Sequence, residues 1–334
     1  MKKCAPLAVS AYAFSLIVGI SPIAAEPSKI TIGHQFGLAY LPLYVMSEQK
    51  LIEQCAKDNG ADDVIVDWIK VGSTSVLADG IISGNLTVAS AGVPPFVVLW
   101  ARTKGKVKMI SALNEQPMKL NTNNPKINSV ADFTSEDRIA VPATKTSTHS
   151  ILLGMAAEKV WGVGNGQKLD TLQVPLSHPD ATAALLAGKG QITAHFATIP
   201  FSGIQLANPK IHTILTSSEI LGGPTTIGAW WTTERFHDEN PKLYAALLCA
   251  ADRSIAFITA NHRAAAEIYA RAENSTMTVE DVEKVLTDPE VTYTTTPQRT
   301  FVFGDYMYRT GLIPTKPASW KDFFFSNARD LPGS

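Results

Sequence analysis

Small and polar residues follow predicted strands and open predicted helices at four places in the chain. These segments are residues 35–37, 72–75, 91–93 and 144–149. The first turn of a helix presents backbone N–H groups without partners and a partial positive charge, and both features bind anions. A single Ser or Thr at such a position more often caps its helix than contacts a ligand. Four such ends at one side of two sheets nevertheless predict an anion pocket that needs no arginine.

The sequence lacks the motifs of common enzyme sites. It contains no GxxxxGK[ST] loop, no GxSxG turn and no SxxK pair. The seven histidines are scattered without HxxxH or HExxH spacing, so we expect no metal site and no cofactor. His149 and His195 lie near the polar segments, but no nucleophile or paired carboxylate accompanies them, which favours packing or ligand contact over base catalysis. We therefore predict that the chain is not an enzyme.

The polar segments lie in a chain of alternating predicted strands and helices. The first block has strand patterns at 29–33, 64–71, 86–89 and 108–112, and helix patterns at 41–55, 73–84 and 94–101. The second has strands at 137–141, 172–174 and 191–196, and helices at 147–161 and 180–187. Two further β-like runs, 211–215 and 226–232, precede helices at 241–259, 262–272, 279–286 and 298–310. Short loops between strands and helices predict parallel βαβ units.

Two similar α/β blocks followed by helices predict two lobes joined by a close hinge. We expect the chain to cross between the lobes near residues 113–117 and 217–225. Ligands at such sheets bind beyond the carboxyl ends of the strands, where the polar segments lie.

Composition narrows the class of protein further. Of 334 residues, 45% are hydrophobic and 18% are charged. This composition is too apolar for a disordered chain, and the length is enough for two domains. The 29 basic and 30 acidic residues give a net charge of −1. Without a basic excess to neutralise a phosphate backbone, we expect no nucleic-acid partner.

Residues 1–25 have the pattern of a cleavable signal peptide. Lys2 and Lys3 precede an apolar run at 12–20, and small residues end the segment before Glu26. This pattern predicts export to the periplasm. Cys55 and Cys249 remain after cleavage, and the sequence leaves open whether they pair or stay as separate buried thiols.

The order of several short passages resembles the periplasmic substrate-binding proteins of ABC importers, in the nitrate/sulfonate/taurine-binding family. The passages are KITIG at 29–33 followed by Gln35, VGST at 71–74, IISGNLTVA at 81–89, RIAVP at 138–142, TSTHS at 146–150 and LLAGKGQITAHFATIP at 185–200. The resemblance covers nearly all of residues 29–320. Asn85 stands where the family usually has an acidic residue.

The resemblance implies an α/β, two-lobe type II periplasmic binding protein fold, each lobe a mostly parallel sheet flanked by helices. It divides the chain into a signal peptide at 1–25, lobe 1 at 26–114, lobe 2 at 115–220, and a return to lobe 1 at 221–334. It also implies ligand capture by hinge closure, followed by docking of a monomer on an ABC permease in the inner membrane, with its ATPase.

By analogy with the family, one small anion would be held between the lobes. The implied ligand-binding residues lie in the polar segments and in the return crossing: Gln35, Phe36, Ser73, Thr74, Ala91, Gly92, Thr146, Ser147, Thr148, Phe196, Thr198, Thr225 and Thr226.

The ligand itself is less well defined than the family. The segment 222–226 has no acidic residue to pair with the amine of taurine, and Lys145 is the only base in the segment 144–149. Phe36, Phe196 and one of the pair Trp230 and Trp231 favour a sulfonate- or nitrate-like anion with an apolar or aromatic body. Two alternatives stay open: a sensor that presents its ligand to a membrane receptor, and a thiamine-pyrimidine-type binding protein of the same fold.

Overall fold

A computed structural model describes residues 1–2, 26–61, 63–275 and 277–334 of the chain. The proposed signal peptide lies, beyond its first two residues, outside the described residues. The described part has the α/β architecture that the sequence predicts, with two sheets and helices packed against them.

The strands are short and are distributed along the whole chain. In order they are β1 (Lys29–His34), β2 (Ile65–Lys70), β3 (Val88–Ala91), β4 (Val107–Glu115), β5 (Lys119–Thr122), β6 (Ile139–Val141), β7 (Gln173–Pro175), β8 (Ala194–Ala197), β9 (His212–Thr216), β10 (Thr226–Thr233) and β11 (Thr292–Tyr293).

The two sheets share one arrangement. The first has the order β11-β4-β10-β3-β1-β2 and the second β7-β6-β8-β5-β9. In each, three parallel strands are followed by one antiparallel strand, β10 or β5, and then by a strand in the original direction. Most strands of each sheet therefore run the same way, and their carboxyl ends meet at one edge. We call the part built on the first sheet lobe 1 and the part built on the second sheet lobe 2.

Helices cover both sheets. In order they are α1 (Leu41–Gln49), α2 (Leu51–Asp58), α3 (Thr74–Ser83), α4 (Val93–Arg102), α5 (Thr148–Trp161), α6 (His178–Ala187), α7 (Phe201–Leu206), α8 (Ser217–Leu221), α9 (Glu234–Glu239), α10 (Pro241–Ala260), α11 (His262–Glu273), α12 (Val279–Leu286) and α13 (Thr300–Arg309). Short 3-10 turns occupy Leu38–Tyr40, Val130–Asp132, Asp170–Leu172, Trp320–Phe323 and Ser326–Ala328.

The predicted helix at 41–55 is two helices. Lys50 adopts a left-handed conformation with φ of 52°, which ends α1 and starts α2. The apolar pattern continues across the break because both helices bury one side in the same core, and it therefore hides the bend.

The sequence prediction also missed β5, α7, α8, α9 and β11. Strand β5 reads KLNT, and its polar Asn121 and Thr122 are fully buried. Their side chains make hydrogen bonds inside lobe 2, which no hydrophobic alternation can indicate. The two tryptophans of β10 also differ from expectation, since Trp230 and Trp231 are both buried in the core and neither lines a cleft.

Cys55 and Cys249 form a disulfide, which settles a question that the sequence left open. The bond joins α2 to α10 across 194 residues of sequence. Helix α10 is the one described helix long and apolar enough to span a membrane by composition. Nearly half of its apolar window is buried within the protein, where the disulfide fixes it against lobe 1.

Candidate ligand-binding site

The candidate site is a small cavity between the two lobes, at the carboxyl ends of the parallel strands. Its volume is about 10 Å³ in this closed conformation, so the cavity must widen to hold a ligand larger than water. The lining comes from both lobes: Gln35, Phe36, Tyr40, Thr74, Gly92, Met118, Ser147, Thr148, His149, His178, Thr198 and Ile227.

Four helix N-termini converge on this cavity. Thr74, Thr148 and His178 are the first residues of α3, α5 and α6, and Gly92 is the N-cap of α4. Two of these helices belong to lobe 1 and two to lobe 2. Each N-terminus carries a partial positive charge, so their convergence favours a negative group between the lobes.

Two of the serines at these ends serve as helix caps. Ser147 Oγ accepts from the N–H of Ser150 at 3.3 Å and donates to the carbonyl of Ala143 at 2.6 Å. Ser73 Oγ accepts from the N–H of Ser75 at 3.3 Å, and Ser73 does not line the cavity. These hydroxyls are already engaged, and we expect their loss to lower stability.

Other polar groups at the cavity are buried without a partner. In the described part of the chain, the hydroxyls of Thr74 and Thr198 and both ring nitrogens of His149 make no hydrogen bond. Each of these residues is more than nine-tenths buried. An unpaired buried polar group costs about 1–3 kcal/mol, and a ligand that supplied the missing partners would offset that cost.

Two hydrogen bonds hold the side chain of Gln35 near the N-terminus of α3. Its side-chain N–H donates to the carbonyl of Gly72 at 3.3 Å, and its side-chain oxygen accepts from Tyr40 at 3.3 Å. This pairing fixes the end of β1 against the end of β2 and sets the lobe 1 wall of the cavity.

Among the described residues, those that line the cavity include no Asp, Glu, Lys or Arg. Burial lowers the pKa of His178 to about 3, and burial together with nearby His178 holds the pKa of His149 well below its ordinary value. Both imidazoles are therefore neutral at physiological pH. Uncharged donors and helix ends alone set the electrostatics of the cavity.

The lobes touch closely around the cavity. The N–H of Leu38 in lobe 1 donates to the carbonyl of Ile199 in lobe 2 at 3.1 Å. A Cβ atom added at Gly92 would overlap the hydroxyl of Thr148, so a larger residue here would force Thr148 to shift.

An apolar groove of about 430 Å³ adjoins the cavity. Phe36 belongs to both linings, and Phe201, in the groove, stacks on His178 with ring centroids 5.5 Å apart. Lys70 and Glu273 form an ion pair of 3.2 Å at the groove's edge. The groove therefore gives an apolar extension to a polar cavity.

The structure brings seven of the thirteen predicted site residues to the cavity. These are Gln35, Phe36, Thr74, Gly92, Ser147, Thr148 and Thr198. The other six lie elsewhere: Ser73 caps α3, Ala91 and Phe196 are buried in their sheets, Thr146 bonds to the carbonyl of Thr144, and Thr225 and Thr226 hold the backbone of Gln298. Whether the seven bind a ligand stays a prediction.

Of the remaining five lining residues, sequence reasoning expected packing or ligand contact for His149 and missed the other four. His178 follows the pattern of the other segments, because it comes after a strand and after Ser177, which caps α6. The same rule that selected residues 144–149 would have found it. No such pattern marks Tyr40, Met118 or Ile227, because the sequence predicts that apolar and aromatic residues at these positions pack in the core.

The described residues contain no group of three or more His, Cys, Asp or Glu placed to hold a metal ion.

Two α/β lobes around a polar cavity make the periplasmic binding protein fold. The chain belongs to the NMT1-like family, whose model matches residues 23–272. Comparison with curated proteins finds no match to this sequence.

Several solved structures share this fold. The alkanesulfonate-binding protein SsuA from Xanthomonas axonopodis pv. citri, bound to MOPS, aligns with a TM-score of 0.70 and 18% identity over 88% of this chain and 96% of its own. The periplasmic aliphatic sulphonate-binding protein SsuA from Escherichia coli aligns with a TM-score of 0.66 and 16% identity, over 90% of this chain and 93% of its own. The periplasmic nitrate-binding protein NrtA from Synechocystis PCC 6803 aligns with a TM-score of 0.67 and 16% identity, over 88% of this chain and 84% of its own.

Proposed function

We propose that this chain is the solute-binding component of an ABC importer and captures a small sulfonate- or nitrate-like anion between its lobes. The observation that carries the proposal is the set of buried, unpartnered donors where four helix N-termini meet. Relatives of the same fold that bind alkanesulfonates or nitrate support the anion class.

The ligand carries an apolar body beside its anionic head. The head occupies the polar cavity, and the body passes Phe36 into the apolar groove, which is too large and too apolar for nitrate alone. Of the predicted residues, the seven that line the cavity form the contact set. Thr74 and Thr198 are its main hydroxyl donors because no other group engages them.

The protein works in the periplasm. Residues 1–25 direct export, and the disulfide between α2 and α10 fits an oxidising compartment. Lobe 1 comprises residues 26–114 and 221–334 and lobe 2 residues 115–220, so the hinge lies at the two crossings. A monomer closes on the ligand, and the closed form docks on the membrane permease with its ATPase.

Thermal unfolding of the purified protein against a panel of ligands tests this function. The panel contains ethanesulfonate, taurine, benzenesulfonate, nitrate, benzoate and thiamine pyrimidine. A ligand at a hundred times its Kd adds about 2.7 kcal/mol to stability, which raises the melting temperature visibly. We expect the largest shift with an alkyl or aryl sulfonate; a shift with thiamine pyrimidine alone would contradict the proposal.

The contact set is tested with Thr74→Val. This variant keeps the shape of the side chain but removes the unpartnered hydroxyl, so we expect the Kd of the anion that binds best to rise about tenfold. Ser83→Ala, at the other end of α3, is the matched control and should bind like the unmodified protein. Equal affinities for all three proteins would remove Thr74 from the contact set.

A further inference from the structure

A chain of buried amides ends at the histidines of the cavity. The side-chain N–H of Asn121 donates to the carbonyl of Ser202 at 3.2 Å, which fixes the orientation of that amide because a carbonyl only accepts. The same amide nitrogen donates to Gln205 Oε1 at 2.9 Å. Gln205 must therefore turn its NH₂ group the other way, where it donates to Thr182 at 2.9 Å and faces His195 Nδ1 at 2.6 Å.

This orientation determines which ring nitrogens carry protons. His195 Nδ1 accepts from Gln205, so a neutral His195 carries its proton on Nε2. His195 Nε2 lies 2.9 Å from His178 Nδ1 and donates to it. A neutral His178 therefore carries its own proton on Nε2. Burial lowers the pKa of both rings, to about 3 for His178, so the neutral forms are the relevant ones.

His178 shares the cavity with a second, unpartnered imidazole. The rings of His149 and His178 meet edge to face at 4.8 Å between centroids. Within the part of the chain that the structure describes, both ring nitrogens of His149 and the hydroxyls of Thr74 and Thr198 are buried without a hydrogen bond. A neutral His149 has one N–H donor and one acceptor nitrogen, so a group rich in acceptors, placed among these atoms, satisfies the His149 N–H and the two hydroxyls at once.

We propose that His178 is a specificity-determining residue that donates its Nε2–H to the ligand, and that Asn121, Gln205 and His195 act as positioning residues that fix this tautomer. The Nε2–H of His178 consequently favours oxyanions and other acceptor-rich head groups over ammonium groups, which cannot accept its hydrogen bond. The proposal rests on the proposed function for the identity of the cavity as a ligand site.

The tautomers are measured in the ligand-free protein by nitrogen-15 NMR of the histidine side chains. We expect His178 and His195 both to show a protonated Nε2 and an unprotonated Nδ1 at about pH 7, with signals assigned by His178→Gln and His195→Gln. In Gln205→Leu the fixed proton position should be lost and both tautomers should appear. A proton on Nδ1 of His178 in the unmodified protein would overturn the proposal.

Binding of ethanesulfonate and nitrate, measured by calorimetry, tests the donor. His178→Gln keeps an N–H near the position of Nε2, while His178→Met removes it. We expect His178→Met to raise the Kd about tenfold and His178→Gln to stay within about threefold of the unmodified protein. Equal binding by His178→Met would refute the role of His178.

The two measurements separate the two hypotheses. If neither anion binds the unmodified protein, the proposed function loses its ligand class, while the NMR result still decides the tautomer. If the anions bind but His178 carries its proton on Nδ1, the proposed function stands and the proposed role of His178 and its positioning residues is wrong.

Discussion

Acid should destabilise this protein, and His34 allows the effect to be isolated. His34 ends β1, is 3% exposed, and has Nδ1 at 2.8 Å from the carbonyl of Gln35. Burial lowers its pKa from 6.5 to about 4; the bond to Gln35 opposes this shift and the charge of Lys70 adds to it. Between these two pKa values the unfolded chain binds a proton that the native protein does not, so stability falls as the pH falls below 6.5.

The size of the effect follows from the shift. At pH 5 the unfolded imidazole lies about 1.5 units below its pKa, while the native imidazole is still mostly neutral. At about 1.36 kcal/mol per unit, His34 alone removes about 2 kcal/mol of stability between pH 8 and pH 5. The other buried histidines add to the total loss.

His34→Asn removes the titrating group and keeps an amide N–H near the position of Nδ1. At pH 8 we expect the variant to be less stable by about 1–3 kcal/mol, because it loses ring packing against Tyr44 and Trp68. Its further loss between pH 8 and pH 5 should be about 2 kcal/mol smaller than that of the unmodified protein.

Urea unfolding of both proteins at the two pH values measures this difference of differences. Contributions from the other histidines are common to both proteins and cancel. The pH 8 measurement serves as the internal control for packing, because His34 is then neutral in both states. An equal loss of stability in the two proteins would show that His34 is protonated in the native state near its ordinary pKa, and would refute the reasoning.

Two further predictions concern the disulfide and lobe closure. Replacing Cys55 and Cys249 together with Ala should lower the free energy of unfolding by about 2–5 kcal/mol in urea titrations, and dithiothreitol should add nothing to that loss in the variant. Gly92→Ala places a methyl group against Thr148, so we expect a larger radius of gyration in X-ray scattering with ligand present. Gly203→Ala, where the added methyl meets open space, is the control; equal radii for both variants would mean that closure tolerates the methyl group.

Much of the fold follows from the sequence, and the failures have physical causes. β1 and β10 were predicted because their burial produces continuous or alternating apolar patterns. β5 was missed because Asn121 is buried by pairing with other polar groups, and the pattern of hydrophobicity does not register such pairing. The break at Lys50 was missed because its left-handed backbone uses no glycine.

The candidate site was predictable to the level of segments and not of side chains. The polar segments meet because parallel strands place their carboxyl ends on one edge. Which neighbour faces inward depends on the start of the helix: Ser73 caps α3 and points away, while Thr74 begins it and lines the cavity. A shift of one residue would exchange the two roles, and sequence patterns do not fix helix starts that closely.

An uncharged cavity suits the proposed function, in which the protein must release what it binds. The polar side chains that line the cavity are buried in the closed form, and a buried lysine or arginine pays a large desolvation cost whenever its anion is absent. Thr74, Thr198 and His149 pay a smaller cost, because neutral donors lose less hydration when they are buried. The closed form is then stabilised mainly when an acceptor-rich ligand restores those hydrogen bonds. Closure itself therefore reports occupancy, which is the property that a permease docking on the closed form would require.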